Sequence, residues 1–90
     1  MSRLLIKGAE SALPTGSGTA STFDSATVVR VVNTSESSDH VVTVVESAGG
    51  TVVGSFTLVR ATSELIEKQN SHAIFAENTA VRGSKVGYTN

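Results

Sequence analysis

Residues 40–60, HVVTVVESAGGTVVGSFTLVR, hold two valine-rich runs on either side of Ser47-Ala48-Gly49-Gly50. Valine is stiff at χ1 and packs well on a pleated surface. The glycine pair supplies the positive φ values that a tight hairpin turn needs. This stretch is therefore an antiparallel hairpin, and the rest of the chain has to supply strands that complete its sheet. A half-buried strand should alternate apolar and polar residues. VVRVV (28–32), HVVTVV (40–45) and TVVG (51–54) do not alternate cleanly, so both faces of these strands are largely apolar. In a small two-layer domain only one face of each sheet points inward. The other face calls for a cover, either the long N-terminal connection or another subunit.

The remaining segments fit the same class. Arg3–Lys7 (RLLIK) reads as a strand starting close to the N-terminus, where an apolar strand needs a pairing partner to be ordered. Residues 8–22 carry Pro14, Gly16 and Gly18 and read as a long loop, a candidate contact arm or a covered surface loop. Further strands are expected over Ser25–Asn33, His40–Glu46 and Thr51–Arg60. Thr62–Gln69 suits a strand or a helix, and its alternation of Leu65/Glu67 against Ile66/Lys68 favours the strand. Ser71–Asn78 suits a short helical turn with Ser71 as N-cap and Asn78 ending it. Residues 80–89 read as two short strands around Gly83-Ser84. The expectation is a single all-β domain over residues 1–90: a small antiparallel β-sandwich or barrel of about six to seven short strands, with one short helical turn near 71–78.

Composition bounds the chemistry. The 90 residues include no cysteine, which removes disulfides, thiol zinc ligands and thiol nucleophiles. A net charge of −1 without a basic stripe argues against nucleic acid as a partner. No apolar run approaches the 18 or so residues that span a membrane. Only three apolar residues stand between Arg3 and Lys7, too few for a secretory signal, so synthesis without export by that route is expected.

Candidate catalytic clusters dissolve on inspection. Ser38-Asp39-His40 holds triad residue types, but consecutive residues cannot adopt triad geometry. His40 with Glu46, and His72 with Glu77, lack metal-ligand spacing. Glu64 and Glu67 fall on opposite faces of a strand. Gly16-Ser17-Gly18 and Arg82-Gly83-Ser84-Lys85 lack the order of a phosphate loop and read as loop glycines. Asn33-Thr34-Ser35 matches a glycosylation sequon without the secretory context that would use it. The chain is expected to be no enzyme and to use no cofactor or metal.

LLIKGAESALPTG (4–16), SATVVRVVNTS (25–35), GSFTLVR (54–60), ELIEK (64–68) and IFAENTAVRGSKVGYTN (74–90) together resemble the small proteins of about this length encoded by marine tailed phages, especially contractile-tailed cyanophages. The resemblance spans nearly the whole chain. It implies a virion structural protein, made in the host bacterial cytoplasm without a signal peptide, that covers surface on a repeated lattice. One departure is VRATSE (59–64), where a glycine-rich turn would be expected. A capsid decoration subunit is the leading expectation, with a neck or tail component second. The partners would be other virion proteins, with a homo-oligomer or lattice-bound state. From position and apolarity, the expected contact residues are Leu4, Leu5 and Ile6, then Leu13 and Pro14, then the tail from Val86 to Asn90 with Tyr88. The rival readings are a host-recognition β-sandwich, which would want Phe23 and Tyr88 exposed together, and a small protein that binds one host target.

Overall fold

The computed structural model describes the backbone of residues 3–89 and the side chains of residues 3–87. It is all-β, with two antiparallel sheets. In chain order the strands are β1 (Arg3–Ile6), β2 (Ser11–Ala12), β3 (Val28–Asn33), β4 (His40–Val45), β5 (Val52–Leu58), β6 (Ser63–Glu67), β7 (Ala73–Ala76) and β8 (Val81–Thr89). The first sheet runs β1-β8-β3-β6, with β2 also pairing to β8; the second runs β5-β4-β7.

Several boundaries differ from expectation for physical reasons. Residues 73–76 form a strand, not a helical turn, because Ala73–Ala76 pair with Val42–Val45 of β4. Among the described residues the one helical turn is a 3-10 turn at Ser17–Thr19, inside the expected loop. Residues 81–89 are one strand rather than two: Gly83 pairs with Val31 and Ser84 with Arg30 without interruption. The glycine there is a strand residue, not a loop residue. Thr62–Gln69 yields strand β6, as its alternation favoured. In the Ser47–Gly50 turn, Gly49 takes the positive φ, at 76°.

The core lies between the sheets. Val29, Val31 and Val81 from the first sheet meet Val42, Leu58, Ile74 and Ala76 from the second. Leu13, Phe23 and Ala26 complete the cluster, and all three come from the connection between β2 and β3. That connection is therefore no free arm. Leu13 N–H donates to Val81 O, Ala76 N–H donates to Pro14 O, and Ser21 and Ile74 exchange both backbone bonds. The segment starts on β8 and ends along the edge of β7, so it laces one side of the sandwich shut. It does not cover either outer sheet face.

The lacing segment ends in an unusual turn. Phe23, Asp24 and Ser25 have φ of 52°, 57° and 55°, three successive residues in the left-handed region. Ala26 N–H closes the turn onto Thr22 O at 3.1 Å. Each such residue costs roughly 1–2 kcal/mol. The carbonyls of this turn are gathered by two ammonium groups: Lys68 Nζ donates to Thr22 O (3.0 Å) and Ala26 O (2.7 Å), and Lys85 Nζ to Asp24 O (2.9 Å). Burial, and then the nearby charge of Lys85, hold the Lys68 pKa below its usual 10.5.

A fourth left-handed non-glycine residue lies in the turn between β5 and β6. Ala61 sits at φ 57°, the position a glycine would fill without cost. Its N–H is held by Asn33 O and Ser35 O, which fixes the turn around it. Ser25→Gly and Ala61→Gly should each stabilise the domain by about 0.5–1 kcal/mol, the relief of strain less the added freedom of the unfolded chain. Thermal unfolding should show midpoints raised by about 2–8 °C. A lowered midpoint in either variant would contradict the left-handed geometry.

Candidate interaction site

The polar clusters singled out in the sequence serve the fold. His40 Nδ1 lies 3.2 Å from Glu77 Oε1, and the same oxygen accepts the Val41 N–H at 3.0 Å. Glu77 thus clamps the start of β4 to the end of β7. Asp39 Oδ1 accepts the Arg60 N–H and Ser38 O accepts from Asn33 Nδ2, so Ser38, Asp39 and His40 point to three different structural partners. Among the described residues, no three His, Cys, Asp or Glu side chains come together. No helix among the described residues is long and apolar enough to cross a membrane. Asn33 is fully buried, with its amide nitrogen donated to Ser38 O and Leu58 O. A sequon amide so committed is closed to glycosylation in the folded domain.

The expected contact residues divide. Leu4, Leu5 and Ile6 are exposed, at 41%, 43% and 65%. Leu13 is 1% exposed and Val86 2%, so neither is available at the surface. Leu13 fills the core, and Val86 is enclosed because β8 is flanked at that level by Ile6 and Val28. Pro14 is half-buried and engaged with β7 through its carbonyl. Tyr88 pairs with Leu4 through its backbone, while its side chain and residue Asn90 lie outside the described residues. Phe23 is 9% exposed, which removes it from any aromatic surface platform.

The apolar surface gathers elsewhere. Among the described residues, no strand crosses the side of the sandwich opposite the lacing segment. There the edges of β5 and β6 face each other over a groove of about 550 Å³ lined by Phe56, Leu58, Val59, Thr62, Leu65 and Ile66, with Thr57 and Glu64. Sequence reasoning missed this site. Its one signal was ELIE, an apolar pair between two acids on a short strand.

The other face of β6 is also hollow. Cross-strand partners share a sheet face, so the register places Leu65 beside Arg30 and Ser84, on the face away from the core. Leu4, Arg30, Ser63, Glu64 and Leu65 line a second depression, of about 370 Å³. Strand β6 is thus a ridge between two partly apolar hollows, with a free edge. A strand added to that edge would send alternate side chains into the two hollows. Val52, Val53 and Val59, at 58%, 53% and 49% exposed, extend apolar surface along β5 and the turn that follows.

Searches for likeness found no family model, no curated protein and no solved structure that matches this chain.

Proposed function

We propose that the chain is a non-enzymatic structural subunit of a tailed-phage virion, most simply a capsid decoration subunit that binds the shell through apolar β surface. The observation that carries the reading is the asymmetry of the sandwich. One side is laced by residues 13–21, while the other leaves two strand edges and an apolar groove open to a partner. Open edges with apolar flanks are an association hazard that monomeric β proteins usually blunt. Retaining one makes sense where a partner covers it by strand addition. Repetition over a symmetric shell then turns modest single contacts into a stable coat. The resemblance to small phage proteins supplies the particle. A neck or tail position uses the same surface and is the second reading.

Quantitative mass spectrometry of purified particles from an infection that produces this chain is the test. The expected result is many copies per particle, and the chain should stay with shells separated from tails. Recovery with the tail fraction would move it to the neck or tail. Presence in infected cells but absence from particles would overturn the proposal.

A further inference from the structure

The open edge of β6 carries a specific charge pattern. Glu64-Leu65-Ile66-Glu67 places an apolar pair between two acids. At the opposite margin of the same sheet, β1 with the next residue reads Arg3-Leu4-Leu5-Ile6-Lys7, three apolar residues between two bases. All four β1 residues are exposed. None of Arg3, Lys7, Glu64 and Glu67 takes part in an ion pair among the described residues. The other nearby cations do not cancel the pattern. Lys68, next to Glu67, commits its ammonium to the carbonyls of Thr22 and Ala26, and Arg30 is a single charge against two glutamates.

Strand directions match as well. Each neighbour in β1-β8-β3-β6 is antiparallel to the next, so β1 and β6 run in opposite directions. A second copy in the same orientation therefore brings its β1 alongside β6 as an antiparallel neighbour, and neither copy has to unfold a strand. β3 pairs with β8 only as far as Val86, so Arg3–Leu5 and Gly87–Thr89 continue as a two-stranded extension, whose Leu4 also walls the outer hollow beside Leu65.

We infer that β6 is the acceptor edge for the Arg3–Lys7 strand of a second copy, giving head-to-tail association through a continuous sheet. The occupant matches the site on three counts. Its consecutive apolar residues suit an acceptor with a hollow on each face, its direction gives antiparallel bonds, and its two bases set a positive strand against an acidic edge; Arg3 and Lys7 share one face and Glu64 and Glu67 do not, so one base–acid pair lies directly across the seam. Such a contact is heterologous, so it closes into a ring or grows as a filament rather than stopping at a two-fold dimer. The inference rests on reading the open side as a docking surface. It names this chain as the partner there.

The test is the mass distribution of the full chain and its point variants by sedimentation, over a wide concentration range at low and high salt. Wild type should form a concentration-dependent series or a discrete ring that weakens with salt. The double substitution Glu64→Lys/Glu67→Lys, at exposed positions, should weaken association by about tenfold or more. Adding Arg3→Glu/Lys7→Glu to the same chain should restore it. Circular dichroism should be unchanged in all three. A strict monomer at every concentration would overturn the inference, as would association insensitive to these charges or abolished instead by Val52→Ser/Val53→Ser. Absence of the chain from virions would sink the functional reading and leave this result standing. A strict monomer found abundantly on virions would do the reverse.

Discussion

Asn33→Ala should cost about 3 kcal/mol and Asn33→Asp about 4, the largest polar effects in the domain. Asn33 ends β3 on the core side of the sheet, with no accessible surface. Its Nδ2 donates to Ser38 O and Leu58 O, both at 3.0 Å, and its Oδ1 accepts the Ser35 N–H at 3.0 Å. One side chain thus ties together the β3–β4 turn and the end of β5. Alanine leaves those groups without partners, and unmade bonds in a buried setting cost more than made ones contribute. Aspartate keeps the shape but turns an oxygen toward two carbonyl oxygens, so it has to be buried either repelled or protonated. A domain of this size holds roughly 5–10 kcal/mol in total. Thermal unfolding of Asn33→Ala should therefore shift down by about 12–24 °C. Thr34→Ala is the matched comparison: its hydroxyl donates to Ala80 O from an exposed position, and the loss should stay below about 1 kcal/mol. Equal losses at the two positions would mean that the Asn33 network is not what holds this corner.

The same residue shows where sequence reading reaches its limit. The chain announced its class through valine runs and a glycine turn, because β-propensity and turn chemistry are local. The β4–β5 hairpin and the alternating β6 followed from that. Asn33 read as the end of a strand and the first residue of a sequon, and nothing local says that its amide faces inward. Its value depends on Leu58, 25 residues away. Ala73–Ala76 failed for a similar reason. SHAIFAEN has a helical capping pattern, but pairing with β4 and an edge taken up by the lacing segment outweigh that weak local preference. On the outer face of the first sheet Val86 and Ser84 are buried. Val28 and Val32 are half-buried by neighbouring strands, and the open apolar surface lies at the edge between the sheets instead. An edge is a property of strand order, and strand order is not written in any one segment. The contact residues divided along the same line. Leu4, Leu5 and Ile6 were legible from their position near the terminus, whereas Leu13 sits in a stretch rich in proline, glycine and serine that hides an anchor.

Leu13→Ala should cost about 3 kcal/mol, and the reason for its size lies in Gly83. Leu13 is 1% exposed and stands in the core with Phe23, over the middle of β8. A Cβ built on Gly83 would lie 3.0 Å from Leu13 Cδ1 and 3.0 Å from Phe23 Cζ. Glycine at this strand position therefore leaves the hollow that the two side chains fill. Neither neighbour can yield easily, because Leu13 is enclosed and Phe23 is held in a left-handed turn. Gly83→Ala alone gains strand propensity and loses unfolded-state freedom, which favours folding by about 0.5–1 kcal/mol, but overpacking costs about 1–3. The net expectation is a loss of about 1 kcal/mol. Truncating Leu13 empties the space that the new methyl needs, so the two changes should compensate. Leu13→Ala/Gly83→Ala should be more stable than the sum of the single losses by about 1 kcal/mol or more, read as a coupling energy from denaturant unfolding. Leu13 also anchors the segment that laces the β7 side, so Leu13→Ala should speed hydrogen exchange at Ser21 and Ala76, whose backbone bonds hold that segment's end and receive Pro14. Additive losses with unchanged exchange there would mean that the segment is held by its backbone bonds alone. Compensation with faster exchange would make one leucine over one glycine the pin that closes this side of the sandwich and leaves the β5–β6 side as the one that opens to a partner.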